Sequence, residues 1–353
     1  MDEKRKSAAS EARAEPGAAP IAAMGREWGE SDVVQYIARR AKPCRPEVEV
    51  GVGDDAAVVR AQGGRRLVVS ADMLVEGVHF RREWTSPGGL AVKAVSVNVS
   101  DIAAMGAKPF GLLTSVALPA GLPVRWVAQF FRGVVRTARA YQADLLGGDT
   151  VGSPGPVVVD VTVLGWAERP VLRQGARPGD RLVVTGSLGA AAAGLWVLER
   201  GLSDPDPAVR RVLRRHLRPR ARVEAGRILA PVAHAMTDVS DGLAWELKEL
   251  LESGGMGAQI VAERIPVDRA TRFVAELAGA DPLEWALYGG EDYELLAALP
   301  PDAVEAAGQA LAARGLALTA IGVVTADAGL RLERPGGEVP LDVHRFDHFR
   351  LDR

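Results

Sequence analysis

Aspartates recur in glycine- and serine-rich settings, at predicted strand ends or in loops, along much of the chain. Glycine lets the backbone approach a ligand closely, and aspartate offers a short, hard oxygen donor. Several such carboxylates would repel one another strongly if they converged without cations between them. Any one segment alone is better explained as a turn or helix cap, but all of them together favour a multi-magnesium site that holds a polyphosphate. The residues are Asp54 and Asp55 in GVGDDAAVV, Asp72 in SADMLVEGVHF, Asp101 in NVSDIAAMGA, Asp149 in LLGGDTVG, and Asp238 and Asp241 in DVSDGL.

The sequence lacks the motifs of several other phosphate- and acyl-transfer enzymes. It has no G-x-x-x-x-G-K-[ST] loop, no G-x-S-x-G turn, no H-E-x-x-H pair and no protein-kinase motif set. His344 and His348 stand beside terminal phenylalanines, which favours packing of the chain end over metal ligation. His79 follows the Asp72 segment and could reach a phosphate, although a lone histidine more often has a structural role.

Composition excludes further classes of protein. The 353 residues include 43 Lys and Arg against 45 Asp and Glu, a net charge of −2, whereas a dedicated nucleic-acid binder needs a basic surplus. Cys44 is the single cysteine, which excludes an internal disulfide and a cysteine-rich zinc site and fits a reducing cytosol. No apolar stretch approaches the length that spans a bilayer. We therefore expect a cytoplasmic protein without nucleic-acid or membrane partners, with residues 1–27 as a disordered extension.

The elements that must position the aspartates mix strands and helices in both halves, so the fold class is α/β or α+β. Ser86-Pro87 predicts the start of a helix that runs to about Met105 and carries Asp101. A link rich in glycine and proline predicts a domain boundary near 167–180. The expected strands are 56–60, 66–71, 110–118, 143–146, 157–166, 181–185, 257–261, 293–299 and 317–324, and the expected helices are 33–40, 86–105, 123–141, 187–200, 207–216, 219–230, 241–253 and 301–314.

Taken together, the motifs resemble those of the thiamine-monophosphate kinase family, from about Trp28 to Phe349. The segments GVGDDAAVV, DMLVEGVHF, KAVSVNVSDIAAMGAKP, LLGGDT, DVSDGL, YGGEDYEL and FDHF stand in that family's order and spacing. GGDT and DVSDGL are shared more widely, with aminoimidazole ribonucleotide synthetase, selenophosphate synthetase and a hydrogenase-maturation protein. EDYEL and FDHF indicate the thiamine branch. The resemblance implies transfer of the γ-phosphoryl group of ATP to thiamine monophosphate, with Mg²⁺.

The resemblance also implies an architecture, the two-domain fold of the aminoimidazole ribonucleotide synthetase superfamily. Residues 28–167 would form an N-terminal domain that binds ATP and magnesium, and residues 168–353 a C-terminal α/β domain. The N-terminal sheets of two subunits would pair, which makes the protein a homodimer with nucleotide in a cleft.

Roles for individual residues follow from the same resemblance. The magnesium ligands would be Asp55, Ser70, Asp72, Asp101, Asp149, Asp238 and Asp241. ATP would contact Gly148, Asp149, Arg173 and Ser240, with Asp149 and Arg173 taking part in catalysis. Thiamine monophosphate would contact His79, Glu291 and Phe346. The chain departs from the common family pattern at Ala71, where threonine often precedes the metal-binding aspartate, so no side-chain hydroxyl can bind a ligand there.

The nucleophile of such a transfer would be a phosphate oxygen that is already anionic at neutral pH, so positioning and charge neutralisation matter more than a general base. Two alternatives stay open. One is an amidine-cyclising synthetase of the same superfamily, against which the thiamine-branch segments count. The other is a catalytically silent nucleotide-binding protein, against which the cost of keeping unpaired acidic residues together counts.

Overall fold

The computed structural model describes residues 37, 45–202 and 206–344, and this part of the chain forms two seven-stranded sheets. The strands of the first sheet are β1 (Val48–Val50), β2 (Ala57–Arg60), β3 (Arg66–Val75), β4 (Lys108–Pro119), β5 (Asp144–Gly147), β6 (Thr150–Ser153) and β7 (Val158–Ala167). Their order is β1-β2-β3-β7-β4-β5, and β6 continues along β4 beyond β5. The pairs formed by β3 and β4 with β7 are antiparallel.

The second sheet follows residues 168–180. Its strands are β8 (Arg181–Thr185), β9 (Ala235–Asp238), β10 (Gly257–Val261), β11 (Leu295–Leu299), β12 (Leu318–Thr325), β13 (Gly329–Arg334) and β14 (Gly337–Pro340). Their order is β14-β13-β10-β12-β8-β11-β9.

Helices cover both sheets. They are α1 (Pro87–Ala104), α2 (Val124–Ala140), α3 (Ala190–Glu199), α4 (Pro207–Leu217), α5 (Val223–Leu229), α6 (Leu243–Glu252), α7 (Arg269–Ala278), α8 (Pro282–Tyr288) and α9 (Val304–Ala312). The second sheet has a core on each face: Leu182 and Val184 of β8 belong to one, and Val183 between them belongs to the other. This alternation is that of a strand buried on both sides. Among the described residues, no helix combines the length and apolar character needed to cross a membrane.

The helix α1 joins the two halves of the molecule. Ser86 caps it by accepting from the Gly89 N–H at 3.1 Å, and Pro87 occupies the first helical position. Nearly every residue of α1 is buried, as its run of small and branched side chains requires. It packs on α2, β3 and β7 of the first half and on α5 and β9 of the second. Residues carried by α1 can therefore meet residues from both sheets.

Most of the expected elements are present, with three kinds of difference. Strand β3 runs to Val75, so Asp72 lies within a strand and not at its end, because ten residues of β3 pair in register with β7. Asp101 lies in the last turn of α1, which agrees with the predicted helix 86–105 but differs from the general expectation that the aspartates lie at strand ends or in loops. The sequence analysis missed seven short elements, β1, β6, β9, α7, α8, β13 and β14. The expected extension 1–27 and helix 33–40 lie outside the described residues, apart from residue 37, which is helical.

Candidate active site

Three carboxylates from three different elements converge where α1 meets both sheets. Asp55 lies just before β2, Asp101 in the last turn of α1, and Asp238 at the end of β9. One carboxylate oxygen from each lies within 4.8 Å of those from the other two. We call Asp55, Asp101 and Asp238 the carboxylate cluster. They are three of the seven residues for which the sequence resemblance implied magnesium binding.

The environment of the carboxylate cluster disfavours three negative charges. Burial and the neighbouring Asp55 raise the pKa of Asp238 to about 8. Burial and the charges of Asp72, Asp238 and Asp55 raise the pKa of Asp101 well above its usual value. The Oδ2 atoms of Asp55 and Asp238 are buried and find no hydrogen-bond partner among the described residues. Buried polar atoms are normally paired, and hard oxygen donors suit Mg²⁺, so these residues fit a divalent cation.

Arg173 places a positive charge at the edge of the carboxylate cluster. Its Nε donates to Asp55 Oδ1 at 2.8 Å, and its Nη2 lies 2.5 Å from the same oxygen. Its backbone N–H donates to the Asp54 carboxylate at 3.2 Å. Burial would lower the pKa of Arg173, but the charge of Asp55 outweighs burial and the pKa is raised. One guanidinium cannot balance the three carboxylates, so room for further positive charge remains.

Side-chain hydrogen bonds tie β3 to α1 beside the carboxylate cluster. Ser70 Oγ donates to Asp101 Oδ2. Asn98, one turn earlier on α1, accepts from the Asp72 N–H at 2.7 Å. Ser70 and Asp72 therefore lie beside the carboxylate cluster, and the charge of the exposed Asp72 acts on Asp101, while magnesium binding by Ser70 and Asp72 stays a prediction. Ala71 lies between them, on the opposite face of the strand, because successive strand side chains alternate.

Gly148 and Asp149 lie between β5 and β6, the two short strands that pair with the same edge of β4. A Cβ on Gly148, whose φ is 151°, would stand 1.9 Å from the Thr114 carbonyl oxygen, so only glycine fits. Asp149 is exposed, and its Oδ1 accepts from the next backbone N–H at 2.8 Å. Asp72 on β3 and Thr114 on β4 both pair with Val161 on β7, so the two residues lie two strand spacings apart. Gly148 and Asp149 lie one strand further, which puts them about three strand spacings, or about 14 Å, from Asp72. The structure does not bring Asp149 into the carboxylate cluster, and its metal and catalytic roles stay predictions.

Glu246 orders the DVSDGL loop between β9 and α6. Its Oε1 accepts from Ser240 Oγ at 3.2 Å and from the Asp241 N–H at 3.0 Å. Glu246 is buried, and burial raises its pKa well above the usual value although the charge of Arg173 opposes this. Ser240 and Asp241 are thereby held next to Asp238, while the group of converging carboxylates found in the described residues does not include Asp241.

Glu291 is held between α1 and α4. Its Oε1 lies 2.7 Å from Lys93 Nζ on α1, and its Oε2 lies 3.1 Å from His216 Nδ1 on α4. Burial would raise the pKa of Glu291, but Lys93 and His216 outweigh burial and hold the pKa well below its usual range. The Glu291 N–H donates to Ser240 O at 2.6 Å, which ties the Glu291 loop to the DVSDGL loop. Glu291 is therefore a fixed anion.

His79, the second predicted substrate residue, is fixed through its ring and its backbone. The Val75 N–H donates to His79 Nδ1 at 3.0 Å, so the ring proton is on Nε2. Lys93 Nζ donates to the His79 carbonyl at 3.0 Å. Phe346, the third predicted substrate residue, lies outside the described residues. His344 stacks on Tyr288 with ring centroids 4.0 Å apart, in agreement with packing of the chain end.

The sequence analysis did not single out four of the residues that hold predicted site residues in place. These are Lys93, Asn98, His216 and Glu246. A signal was present for two of them. Lys93 is a lone charge in the apolar run LAVKAVSV, and Glu246 is a charge in the first turn of a helix that opens with LAW. A charged residue in such a setting is buried only when it is paired.

Both halves of the chain match known families. Residues 53–167 match the AIR synthase related protein, N-terminal domain, and residues 177–334 match the AIR synthase related protein, C-terminal domain. Together these matches cover every strand of the two sheets except β1 and β14, and they include all three residues of the carboxylate cluster. The fold and the site therefore define an AIR synthase related protein, which confirms the fold class expected from the sequence.

Individual relatives narrow this class. The thiamine-monophosphate kinases of Rhodopirellula baltica and Escherichia coli (strain K12) are each 37% identical to this chain, covering 85% and 91% of it and 91% and 98% of their own lengths. The solved structure of AaThiL complexed with AMPPCP and TMP matches with a TM-score of 0.82 at 32% identity, covering 91% of this chain and 97% of that chain. The chain belongs to the thiamine-monophosphate kinase family, a family of phosphotransferases. The resemblance read from the motifs is confirmed.

Proposed function

We propose that this protein transfers the γ-phosphoryl group of ATP to thiamine monophosphate by direct in-line transfer with Mg²⁺, giving thiamine diphosphate. The observation that carries the proposal is the carboxylate cluster, three carboxylates whose oxygens lie within 4.8 Å of one another. Two of their oxygens lack a hydrogen-bond partner among the described residues. Relatives named thiamine-monophosphate kinase, and a related structure complexed with AMPPCP, an ATP analogue, and TMP, support the choice of substrates.

One magnesium ion would be held by the carboxylate cluster with help from Ser70, Asp72 and Asp241, and Asp149 would bind a further ion of a multi-magnesium site. When bound, Mg²⁺ supplies positive charge that neutralises the phosphate oxygens. The rest of the nucleotide site is built from the chain itself. The guanidinium of Arg173 has the fork geometry that binds phosphate oxygens, and Ser240 and the close backbone approach at Gly148 would line the same site.

The acceptor site would use His79, Glu291 and Phe346. The Nε2 proton of His79 can be donated to a phosphate oxygen, since Nδ1 already accepts from the backbone. The fixed negative charge of Glu291 can complement a cationic thiazolium or accept from an aminopyrimidine. Phe346 would offer a flat apolar face to the substrate rings. No residue is required as a strong base, because the attacking phosphate oxygen is already anionic.

We also propose that residues 28–167 and 168–353 act as two domains and that the protein is a cytoplasmic homodimer paired through the first sheet. The face of this sheet opposite α1 carries apolar side chains at the surface, and Met73 and Leu113 are 52% and 40% exposed. Phe110 and Trp166 stack on one another beside them, with ring centroids 5.0 Å apart. Large exposed apolar faces mark contact surfaces. Sedimentation velocity of the wild-type chain and of Met73→Glu tests the dimer, because the charge should yield monomers.

The activity is tested by incubating the full chain with Mg-ATP and thiamine monophosphate and following thiamine diphosphate by chromatography. We expect stoichiometric thiamine diphosphate and ADP. No product with thiamine monophosphate, but ADP release with formylglycinamidine ribonucleotide, would favour the cyclising synthetase instead. No turnover with either would favour a silent nucleotide-binding protein. Asp149→Asn should lose activity with its fold intact, and an active Asp149→Asn protein would remove Asp149 from the site.

A further inference from the structure

Lys93 stands apart from the other described residues of α1 because it is charged and almost fully buried near the middle of an apolar helix. Its side chain is 3% exposed. Its Nζ lies 2.7 Å from Glu291 Oε1 and donates to the His79 carbonyl at 3.0 Å. One ammonium group therefore contacts both predicted substrate residues that the structure describes, and these come from different halves of the chain.

The backbone around Glu291 is strained in a way that this contact explains. Glu291 has a φ of 57° and Tyr293 a φ of 51°, both in the left-handed region. The left-handed region is unfavourable for a residue other than glycine, and such a residue persists there only where surrounding contacts hold it. The holding contacts are Lys93, His216 and the hydrogen bond to Ser240 O at 2.6 Å.

The position of Lys93 on α1 relates the acceptor site to the carboxylate cluster. Lys93 precedes Asp101 by eight residues, which is about 12 Å along a helix axis at about 1.5 Å per residue. Because α1 is one continuous and largely buried helix, it sets the separation between the carboxylate held by Lys93 and the cluster that contains Asp101. A displacement of the acceptor phosphate by about an ångström is enough to slow such a transfer strongly.

We propose that Lys93 is the positioning residue of the acceptor site, which fixes the Glu291 carboxylate and the His79 backbone at a set distance from the carboxylate cluster. The inference rests on the proposed function, since it concerns the site for thiamine monophosphate. His216 assists Lys93 by holding the second oxygen of Glu291. Lys93 itself acts through these residues and does not touch the substrate.

The competing explanation is an ion pair that merely joins α1 to the Glu291 loop. Loss of an ion pair of that kind would change the KM for ATP and the KM for thiamine monophosphate alike, or would change only the stability of the fold. Loss of a residue that positions the acceptor site would instead change the KM for thiamine monophosphate alone. Steady-state kinetics of Lys93→Met should therefore show a KM for thiamine monophosphate raised at least about tenfold, with the KM for ATP changed by less than about threefold. The matched control is Lys108→Met, which removes an exposed lysine at the start of β4 and should match the wild type.

A second variant covers the case in which Lys93→Met fails to fold because it leaves Glu291 buried without its partner. The double variant Lys93→Met/Glu291→Gln removes both charges, and it should fold and show the same selective rise in KM. A wild-type KM for thiamine monophosphate in a folded variant, or an equal rise for both substrates, overturns the proposal. If the wild type itself makes no thiamine diphosphate, the proposed function fails first, and the two failures are thus distinguished.

Discussion

Replacing Asp238 by asparagine should stabilise the metal-free protein while it weakens the response to magnesium. Asp238 is 1% exposed, and its carboxylate meets those of Asp55 and Asp101. Asparagine has the same shape but no charge, and its amide can donate to the buried Oδ2 of Asp55, which has no partner among the described residues. The substitution therefore removes repulsion and can satisfy an unpaired acceptor.

The expected gain follows from the pKa of Asp238, which rises from 3.8 to about 8 on folding because of burial and the charge of Asp55. Below pH 3.8 the carboxyl is protonated in both the folded and unfolded states, so it brings no penalty there. Above that pH the penalty grows by about 1.36 kcal/mol per pH unit until the folded pKa is reached. It reaches about 4 kcal/mol at pH 7, which is the upper limit of the gain. At about 2 °C per kcal/mol, Tm should rise by about 2–8 °C.

Scanning calorimetry of the full chain in EDTA at pH 4, 5.5, 7 and 8 measures this gain. Asp238→Asn should be more stable than the wild type at pH 7 and 8, and the difference should shrink towards zero at pH 4. Added MgCl₂ should raise the Tm of the wild type more than that of the variant, because the variant lacks one ligand. Asp327→Asn, in the exposed turn between β12 and β13, is the control and should leave Tm unchanged at every pH.

Two results would refute the electrostatic reasoning, and a third would refute the role in metal binding. If Asp238→Asn is less stable than the wild type in EDTA at pH 7, repulsion within the carboxylate cluster is not the dominant electrostatic effect. If the gain is present but does not depend on pH, it arises from packing or hydrogen bonding and not from the charge. An unchanged magnesium response in the variant would remove Asp238 from the metal site.

Three further substitutions test other parts of the structure. Glu294→Gln should lower the free energy of unfolding in urea by about 3–5 kcal/mol, because Glu294 is fully buried and pairs with two arginines of the α4–α5 region, and a smaller loss would show that the pair is screened by solvent. Gly148→Ala should abolish kinase turnover while circular dichroism stays near wild type, because its Cβ would overlap the β4 backbone. The control Gly152→Ala adds a Cβ where there is open space, and this variant should stay active. Arg173→Lys should lower kcat/KM at least about tenfold, because lysine cannot form the two-nitrogen contact of the guanidinium. The control is Arg177→Lys at an exposed position, which should leave kcat/KM unchanged. Equal effects of the two substitutions would argue against a role for the Arg173 guanidinium.

The sequence predicted the helix α1 well because its signals are local. A cap at Ser86, a proline at the first helical position and a glycine after the end mark its limits within one turn. The missed element β9 shows the opposite case. It has only four residues, and it is a strand because Leu295–Leu299 of β11 pairs with it, a contact that no local pattern reveals. Strand β3 likewise extends past Ala71 because β7 supplies partners for the additional residues.

In the candidate site, too, the sequence predicted the residues that have local signals and missed those that depend on tertiary contacts. The motifs were enough to name Asp55, Asp101 and Asp238, because short stretches around catalytic residues are distinctive in sequence. They were not enough to name Lys93 or Glu246, whose role depends on partners far away in the chain. Lys93 meets Glu291, 198 residues later, only because α1 packs against both halves of the molecule.

The sequence by itself determined the family and the two-domain fold class and predicted a set of oxygen ligands, because these depend on residue types and their order. Only the tertiary structure decided which aspartates converge, with Asp55, Asp101 and Asp238 within 4.8 Å and Asp149 exposed at the edge of the first sheet. It also decided that Glu291 is anionic and Asp238 resists ionisation, although both are carboxylates in loops or strand ends. The physical reason is that burial and neighbouring charge act through space, over a few ångströms, while sequence motifs record neighbours only along the chain.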